Sequence, residues 1–196
     1  DTLRMYEMFL GPLEQFKPWD IKGISGVHNF LKKLWRLIHN ENNEFLISDT
    51  QASKEELKSL HQCIKKVTDD LNRFSFNTVV SHMMICLNEL ISLNCNKREI
   101  ITEFIILLVP YAPFLSEEIW ELLGNPDSIN NANWPIFNQE YITEILITYP
   151  ISFNGKMRFQ LDLATNASRI DIERIVFEHP KTKNYLNNKA IKKIII

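Results

Sequence analysis

The residues of this 196-residue chain that could bind a metal or act as nucleophiles are five histidines and three cysteines. Their spacing favours neither chemistry. His28, His39, His61, His82 and His179 form no HxxxH or HExxH pattern, the spacing that sets two imidazoles on one helix face around an ion. Cys63, Cys86 and Cys95 form no CxxC pair, have no partner base nearby in sequence, and read as small buried hydrophobes. Gly23 and Gly26 precede a helix, but no strand leads into them and no Lys-Ser/Thr closes a phosphate loop. Paired carboxylates can divide acid and base work, but here Asp69 and Asp70 follow Lys65 and Lys66 by four residues, as exposed helix ion pairs do. Glu117 and Glu118 fall where a helix start favours negative charge. The sequence therefore predicts no catalytic residue, no cofactor site and no metal site in this chain.

The elements that would carry any site are mostly helices. Residues 1–10 read as a helix stopped by Gly11 and Pro12, and Val27, Phe30, Leu31, Leu34, Trp35 and Ile38 mark a second. Ser53 with Glu56 is a capping-box pattern opening a helix whose apolar seam runs Leu57, Leu60, Ile64, Val67, Leu71, Phe74. Asn77 is a second cap, and Asn96 with Glu99 a second capping box. The helix over 97–109 is apolar almost all round, which predicts a central place in a bundle. Pro110 and Pro113 break the chain before a short helix at 116–123 closed by Gly124. Trp35 and Trp120 lie on apolar stripes and read as core.

From residue 142 the texture changes. Segments 145–149, 151–153 and 157–163 are rich in β-formers, with Asn154-Gly155 between them as a hairpin signal. Helices are expected at 170–177 and 182–186, and a strand at 192–196. The expected organisation is a connector over 1–25, a helical bundle over 26–141 and a small α+β domain over 142–196.

The formal charge of −2 conceals an asymmetry, because residues 1–141 hold 13 Lys and Arg against 19 Asp and Glu, and residues 142–196 hold 9 against 5. A polyanionic partner is drawn to the tail rather than to the body. No run of 18 apolar residues is present, nor the basic start and apolar core of a secretory signal, so a cytoplasmic chain without membrane contact is expected.

Six ordered segments resemble the bacterial-type leucyl-tRNA synthetases, a class I aminoacyl-tRNA synthetase family. DTLRMYEMFLGPLEQFKPWD at 1–20 is similar to the stretch after that family's KMSKS loop. GVHNFLKKLWRL at 26–37, HQCIKKVTDDLNRFSFNTVVSHMMICLNEL at 61–90 and VPYAPFLSEEIWELLG at 109–124 resemble helices of its anticodon-binding bundle. NWPIFN at 133–138 resembles the exit from the bundle, and ISFNGKMRFQLDL at 151–163 the hairpin of the small C-terminal domain.

The resemblance implies a mainly α fold, an anticodon-binding helical bundle followed by a small α+β domain. It implies a ligase that joins leucine to tRNA(Leu) at the expense of ATP, with Mg as the ion of the parent enzyme. The ATP-binding and editing elements would lie before Asp1, leaving a fragment inactive alone, without a cofactor, monomeric, and partnered by tRNA(Leu) and by its own catalytic domain in cis. Phosphate contacts need Lys and Arg. The expected tRNA-binding residues are Lys65, Lys66 and Arg73 in the bundle and Lys156, Arg158, Lys181, Lys183, Lys192 and Lys193 in the tail. Phe114 stands where the family usually has His. The alternatives are the equivalent part of a valine, isoleucine or methionine enzyme, or a helical protein-interaction module; the segments FNT…NEL and NGK favour leucine.

Overall fold

A computed structural model describes residues 1–142, 146–164, 168–186 and 194. The described chain divides into two compact units, 1–142 and 143–196. Among the described residues no helix is long and apolar enough to cross a membrane.

The first unit holds α1 (Thr2–Phe9), a 3-10 turn (Ile21–Gly23), α2 (Ile24–Leu37), α3 (Lys54–Asn72), α4 (Phe76–Ser92), α5 (Arg98–Leu108), α6 (Pro113–Leu122), a second 3-10 turn (Ile129–Asn131) and α7 (Gln139–Ile142). Its core is continuous. Helix α5 contributes Ile100, Ile101, Phe104, Ile105, Ile106, Leu107 and Leu108, all buried, as its all-round apolarity requires. Against it pack Leu60, Ile64 and Val67 of α3 and Val79, Val80, Met83, Leu87 and Leu90 of α4. Trp35 and Trp120 are half-buried at the core's edge rather than inside it, because each indole N–H reaches a surface acceptor, Asn43 Oδ1 at 2.9 Å and the Asp127 carbonyl at 2.7 Å. All three cysteines are buried and unpaired.

The capping box of α3 forms as the sequence predicts. Ser53 Oγ accepts from Glu56 N–H at 3.2 Å, and Glu56 Oε2 accepts from Ser53 N–H at 2.6 Å. The same pattern at Asn96 and Glu99 does not form. Backbone bonds between Ser48 and the Asn96–Arg98 stretch hold that segment extended, Lys97 becomes the residue before α5, and Glu99 instead accepts from Ala52 N–H at 2.7 Å.

Three helices leave through the same turn, in which the residue after the cap adopts a left-handed backbone and two N–H groups return to free carbonyls. After α6 that residue is Gly124 (φ +88), after α4 Asn94 (φ +51), and after α3 Phe74 (φ +57). Phe74 N–H donates to Leu71 O at 3.0 Å and Ser75 N–H to Asp70 O at 2.8 Å. The predicted α3 seam therefore stops short of Phe74, which is 68% exposed. A left-handed backbone disfavours a side chain by about 1–2 kcal/mol, which Gly124 avoids and Phe74 does not. The turn also feeds directly into α4 from Ser75, so Asn77 lies inside the first turn rather than capping it.

Two other expectations change. Helix α6 starts at Pro113, whose missing N–H suits the first helical position, so Glu117 and Glu118 lie beyond its first turn. The Asp1 carboxylate takes the capping role, accepting from Phe114 N–H at 3.2 Å and Leu115 N–H at 2.7 Å, while Glu117 accepts from Ser128 Oγ at 3.1 Å. Asp70 is buried rather than on the outer face beside Lys66. Its Oδ1 takes the Arg73 guanidinium at 2.5 Å, and its Oδ2 takes the Thr78 hydroxyl and faces His82 Nε2 at 3.1 Å.

The second unit holds β1 (Leu146–Phe153), β2 (Lys156–Ala164), α8 (Arg169–Glu178) and α9 (Pro180–Leu186). Positive φ at Asn154 and Gly155 makes the two-residue turn that matches strand twist. Strands β1 and β2 pair antiparallel from Leu146 with Ala164 to Phe153 with Lys156, with a bulge that pairs Ile151 with Phe159 and Ser152 with Met157. Arg158 is the extra residue. The strand expected at 192–196 lies outside the described residues, apart from Ile194.

Candidate nucleic-acid interface

On α3, His61, Lys65, Thr68 and Asn72 are spaced by four, three and four residues, which places them on one helix face. The segment 134–141 lies along that face. Trp134 Nε1–H donates to Thr68 Oγ1 at 2.9 Å, Lys65 Nζ stands 5.4 Å from the Phe137 ring centroid, and Tyr141 stacks on His61 at 4.5 Å. His61 Nδ1 accepts the Asn138 N–H at 3.2 Å, which requires that nitrogen unprotonated. Burial lowers the His61 pKa below the ordinary histidine value and so favours the same state. At the Trp134 end of this strap over α3 (residues 134–141), Thr68, Leu71, Asn72 and Trp134 line an open, mostly apolar groove of about 250 Å³.

Lys65 and Lys66 are both exposed but face different neighbours. Lys66 lines a small cleft with His82, Cys86 and Glu89. Contact with the Cys86 thiol, together with burial, raises the Cys63 pKa, and burial pushes Cys95 up to about 12, so neither thiol offers a thiolate near neutral pH. Arg73 is held at the end of α3, with one nitrogen on Asp70 and Nε donating to the Asp69 carbonyl at 3.2 Å, yet most of its side chain remains in solvent. Burial opposes ionisation of Asp70, but hydrogen bonds from Thr78 and Arg73 and the nearby His82 outweigh it, and its pKa falls below the usual carboxylate value.

In the second unit two of the sequence-predicted cations lie against rings. Arg158 is turned by the bulge so that its guanidinium sits 5.3 Å from the Tyr185 centroid, and Lys181 Nζ lies 5.9 Å from that of Phe159. Those rings are stacked in turn, Tyr185 with Phe153 at 5.6 Å and Phe159 with His179 at 4.7 Å, and Phe153 is 6.4 Å from Phe159. The charges of α8 largely cancel within the helix, Arg169 with Glu173 and Arg174 with Asp171. Among the described residues Lys156, Arg158, Lys181 and Lys183 make no ion pair, so the hairpin and α9 present uncompensated positive charge, with the exposed Tyr185 ring beside it. That combination suits the phosphates and bases of a nucleic acid. Lys192 and Lys193 lie outside the described residues.

The structure brings Arg158 and Lys181 into one cation–aromatic layer, and on α3 sets Lys65 on the face under Phe137 while Lys66, seven residues before Arg73, lies on another face. Sequence reading missed the aromatic row itself. Its signal was the alternation of Phe153 with Ile151, and of Phe159 with Leu161, on one face of a hairpin. Among the described residues no three His, Cys, Asp or Glu side chains gather as a metal site would require.

Over residues 53–175 the chain matches the family described as the anticodon-binding domain of tRNA ligase. It is 52% identical over its full 196 residues to a leucine–tRNA ligase of Christiangramia forsetii and 50% identical to one of Bacteroides thetaiotaomicron. The chain spans about a fifth of these relatives' length, 20% and 21% respectively. A crystal structure described as a ternary complex of an Agrobacterium radiobacter LeuRS with tRNA and LeuAMS matches 98% of this chain and 27% of that one, with TM-score 0.67 and 24% identity. That likeness shows a shared fold.

Proposed function

The chain belongs to the family of tRNA-ligase anticodon-binding domains, and from that premise we propose that it is the tRNA-gripping part of a bacterial-type leucine–tRNA ligase. The observation that carries this reading is identity of about half along the whole chain with leucine–tRNA ligases. Its task is to position tRNA(Leu) for leucylation by a catalytic core elsewhere in the longer polypeptide, where ATP and Mg²⁺ are bound. Holding the acceptor strand in register removes most of the entropic barrier of a bimolecular encounter. Lys65, Lys66 and Arg73 on α3, and Lys156, Arg158, Lys181 and Lys183 in the hairpin and α9, supply contacts to the tRNA backbone. The exposed apolar side chains of the loop after α1, Leu13, Phe16, Trp19 and Ile21, form the surface that meets the enzyme's own catalytic domain in cis. The protein acts as a monomer in the cytoplasm.

Titration of the chain with tRNA(Leu) and with a non-cognate tRNA at two salt concentrations tests this. Binding that prefers tRNA(Leu) and weakens steeply with salt is expected. Absence of binding at low salt overturns the tRNA-gripping role.

A further inference from the structure

We propose that Cys63 and Cys86 are a reversible oxidation site, at which hydrogen peroxide closes a disulfide between α3 and α4 of the folded bundle. The inference goes beyond the tRNA-binding reading and stands or falls without it. Nothing in their spacing along the chain pairs these cysteines; helix packing does. Helices α3 and α4 are the most extensively packed helix pair among the described residues. They meet through short side chains. Cys63 Sγ donates to the His82 carbonyl of α4 at 3.8 Å, and Cys86 Sγ donates to the Ser59 carbonyl of α3 at 3.7 Å. A sulfur that touches the facing backbone leaves the two helices one short side chain apart, the close approach that a disulfide needs. The two thiols are also in contact with each other. Cys95 is just as buried, but its neighbour is the Glu56 carboxylate and not a thiol.

Both thiols can be reached. With Ser59, Lys66, His82 and Glu89 they line a cleft of about 40 Å³, enough for hydrogen peroxide, which is little larger than water, and too small for a bulky oxidant. His82 adds an unused polar atom there, since Nε2 faces Asp70 Oδ2 at 3.1 Å and Nδ1 has no partner among the described residues. Contact with Cys86, together with burial, holds the Cys63 thiol protonated, so Cys86 reacts first. Its sulfur takes one oxygen from peroxide as the O–O bond breaks, becoming a sulfenic acid, and the other oxygen leaves as water. Cys63 then attacks that sulfur, the S–O bond breaks, the S–S bond forms and a second water departs. Two thiols have given two electrons and two protons to one peroxide. Prior contact spares the second step the cost of bringing two thiols together.

The test treats the folded 196-residue chain with hydrogen peroxide, removes the oxidant, and alkylates the remaining thiols in denaturant. Trypsin and a glutamate-specific protease, cutting at Lys66, Arg73 and Glu89, then separate the three cysteines. Mass spectrometry should find the Cys63 and Cys86 peptides joined, two hydrogens lighter than their sum and parted by dithiothreitol, with Cys95 alkylated. The linked protein should unfold at a temperature higher by about 3 °C or more, because the cross-link removes freedom from the unfolded chain. Cys63→Ala should show neither the link nor the rise, which separates this effect from oxidation of methionines. Full alkylation of Cys63 and Cys86 after peroxide, a link to Cys95, or a linked form less heat-stable than the reduced one overturns the site. Each of these outcomes is read without tRNA, so the proposed function is tested apart from it.

Discussion

The two units use most of their described cations differently. In the bundle, four cations hold backbone and helices in place, Arg73 on Asp70, Arg98 on Asp49 and the Leu123 carbonyl, Lys97 on Thr50 and Lys33 on Asn88, while Lys65 lies near the Phe137 ring. In the hairpin and α9, Arg158 and Lys181 lie on rings, and among the described residues no carboxylate pairs with them. A charge tied to a carboxylate stabilises the fold but offers less field to a polyanion. A charge lying on an aromatic face is oriented and remains available.

The largest effect that could break this contrast is at Asp70. Asp70→Ala removes the buried carboxylate that Thr78, His82 and Arg73 share, and should cost about 2–3 kcal/mol in urea unfolding. Arg73→Ala should cost under about 1 kcal/mol, because that side chain is mostly exposed. Next, Arg158→Glu with Lys181→Glu should weaken tRNA(Leu) binding by more than about tenfold at low salt, with the thermal midpoint nearly unchanged. The pair Lys65→Glu and Lys66→Glu should cost less, since these lysines lie on separate faces. Equal losses from the two pairs would erase the proposed division of labour.

Mild acid gives a smaller effect. The His61 pKa is lowered in the folded state, so its contribution is fully present above the unfolded value near 6.5 and is lost as pH falls through the folded value. As pH falls from about 6.5 through the lower folded value the strap over α3 should loosen, read as a change in Trp134 fluorescence that His61→Gln abolishes. Asp70 follows the same sign lower down. Its folded pKa lies below the unfolded value near 3.9, so its contribution persists above that value and disappears below it. The smallest effect belongs to Glu103, whose carboxyl pKa is raised by burial and by Glu99 and whose Oε2 finds no partner among the described residues. Glu103→Gln should raise the thermal midpoint by about 1 °C at pH 7, and the gain should vanish in acid as the native carboxyl takes up its proton.

Helix order, the central position of α5, the hairpin turn and the buried cysteines were legible in the sequence, because each depends on periodicity or on a residue type with one strong preference. The two capping boxes show where that legibility stops. Ser53 with Glu56 and Asn96 with Glu99 carry the same local signal, and only the first forms, since a pairing with Ser48, some fifty residues earlier in the chain, takes the second. Asp70 read as an exposed ion-pair member, and the turn into α4 buried it. Phe74 read as the end of a hydrophobic seam, and the turn exposed it. Lys156, Arg158, Lys181 and Lys183 could be named as candidates from charge alone, but the setting of Arg158 against Tyr185 and of Lys181 against Phe159 could not.

By itself the sequence determined the elements and the family, because hydrophobic period, caps and ordered segments are properties of neighbours along the chain. Tertiary structure alone decided which polar groups were buried together, which aromatic was forced outward, and which cations came to rest on rings. Those outcomes depend on competition among partners far apart in sequence for the same donors and acceptors, and burial makes that competition decisive by leaving an unpartnered polar group at a disadvantage of about 1–3 kcal/mol.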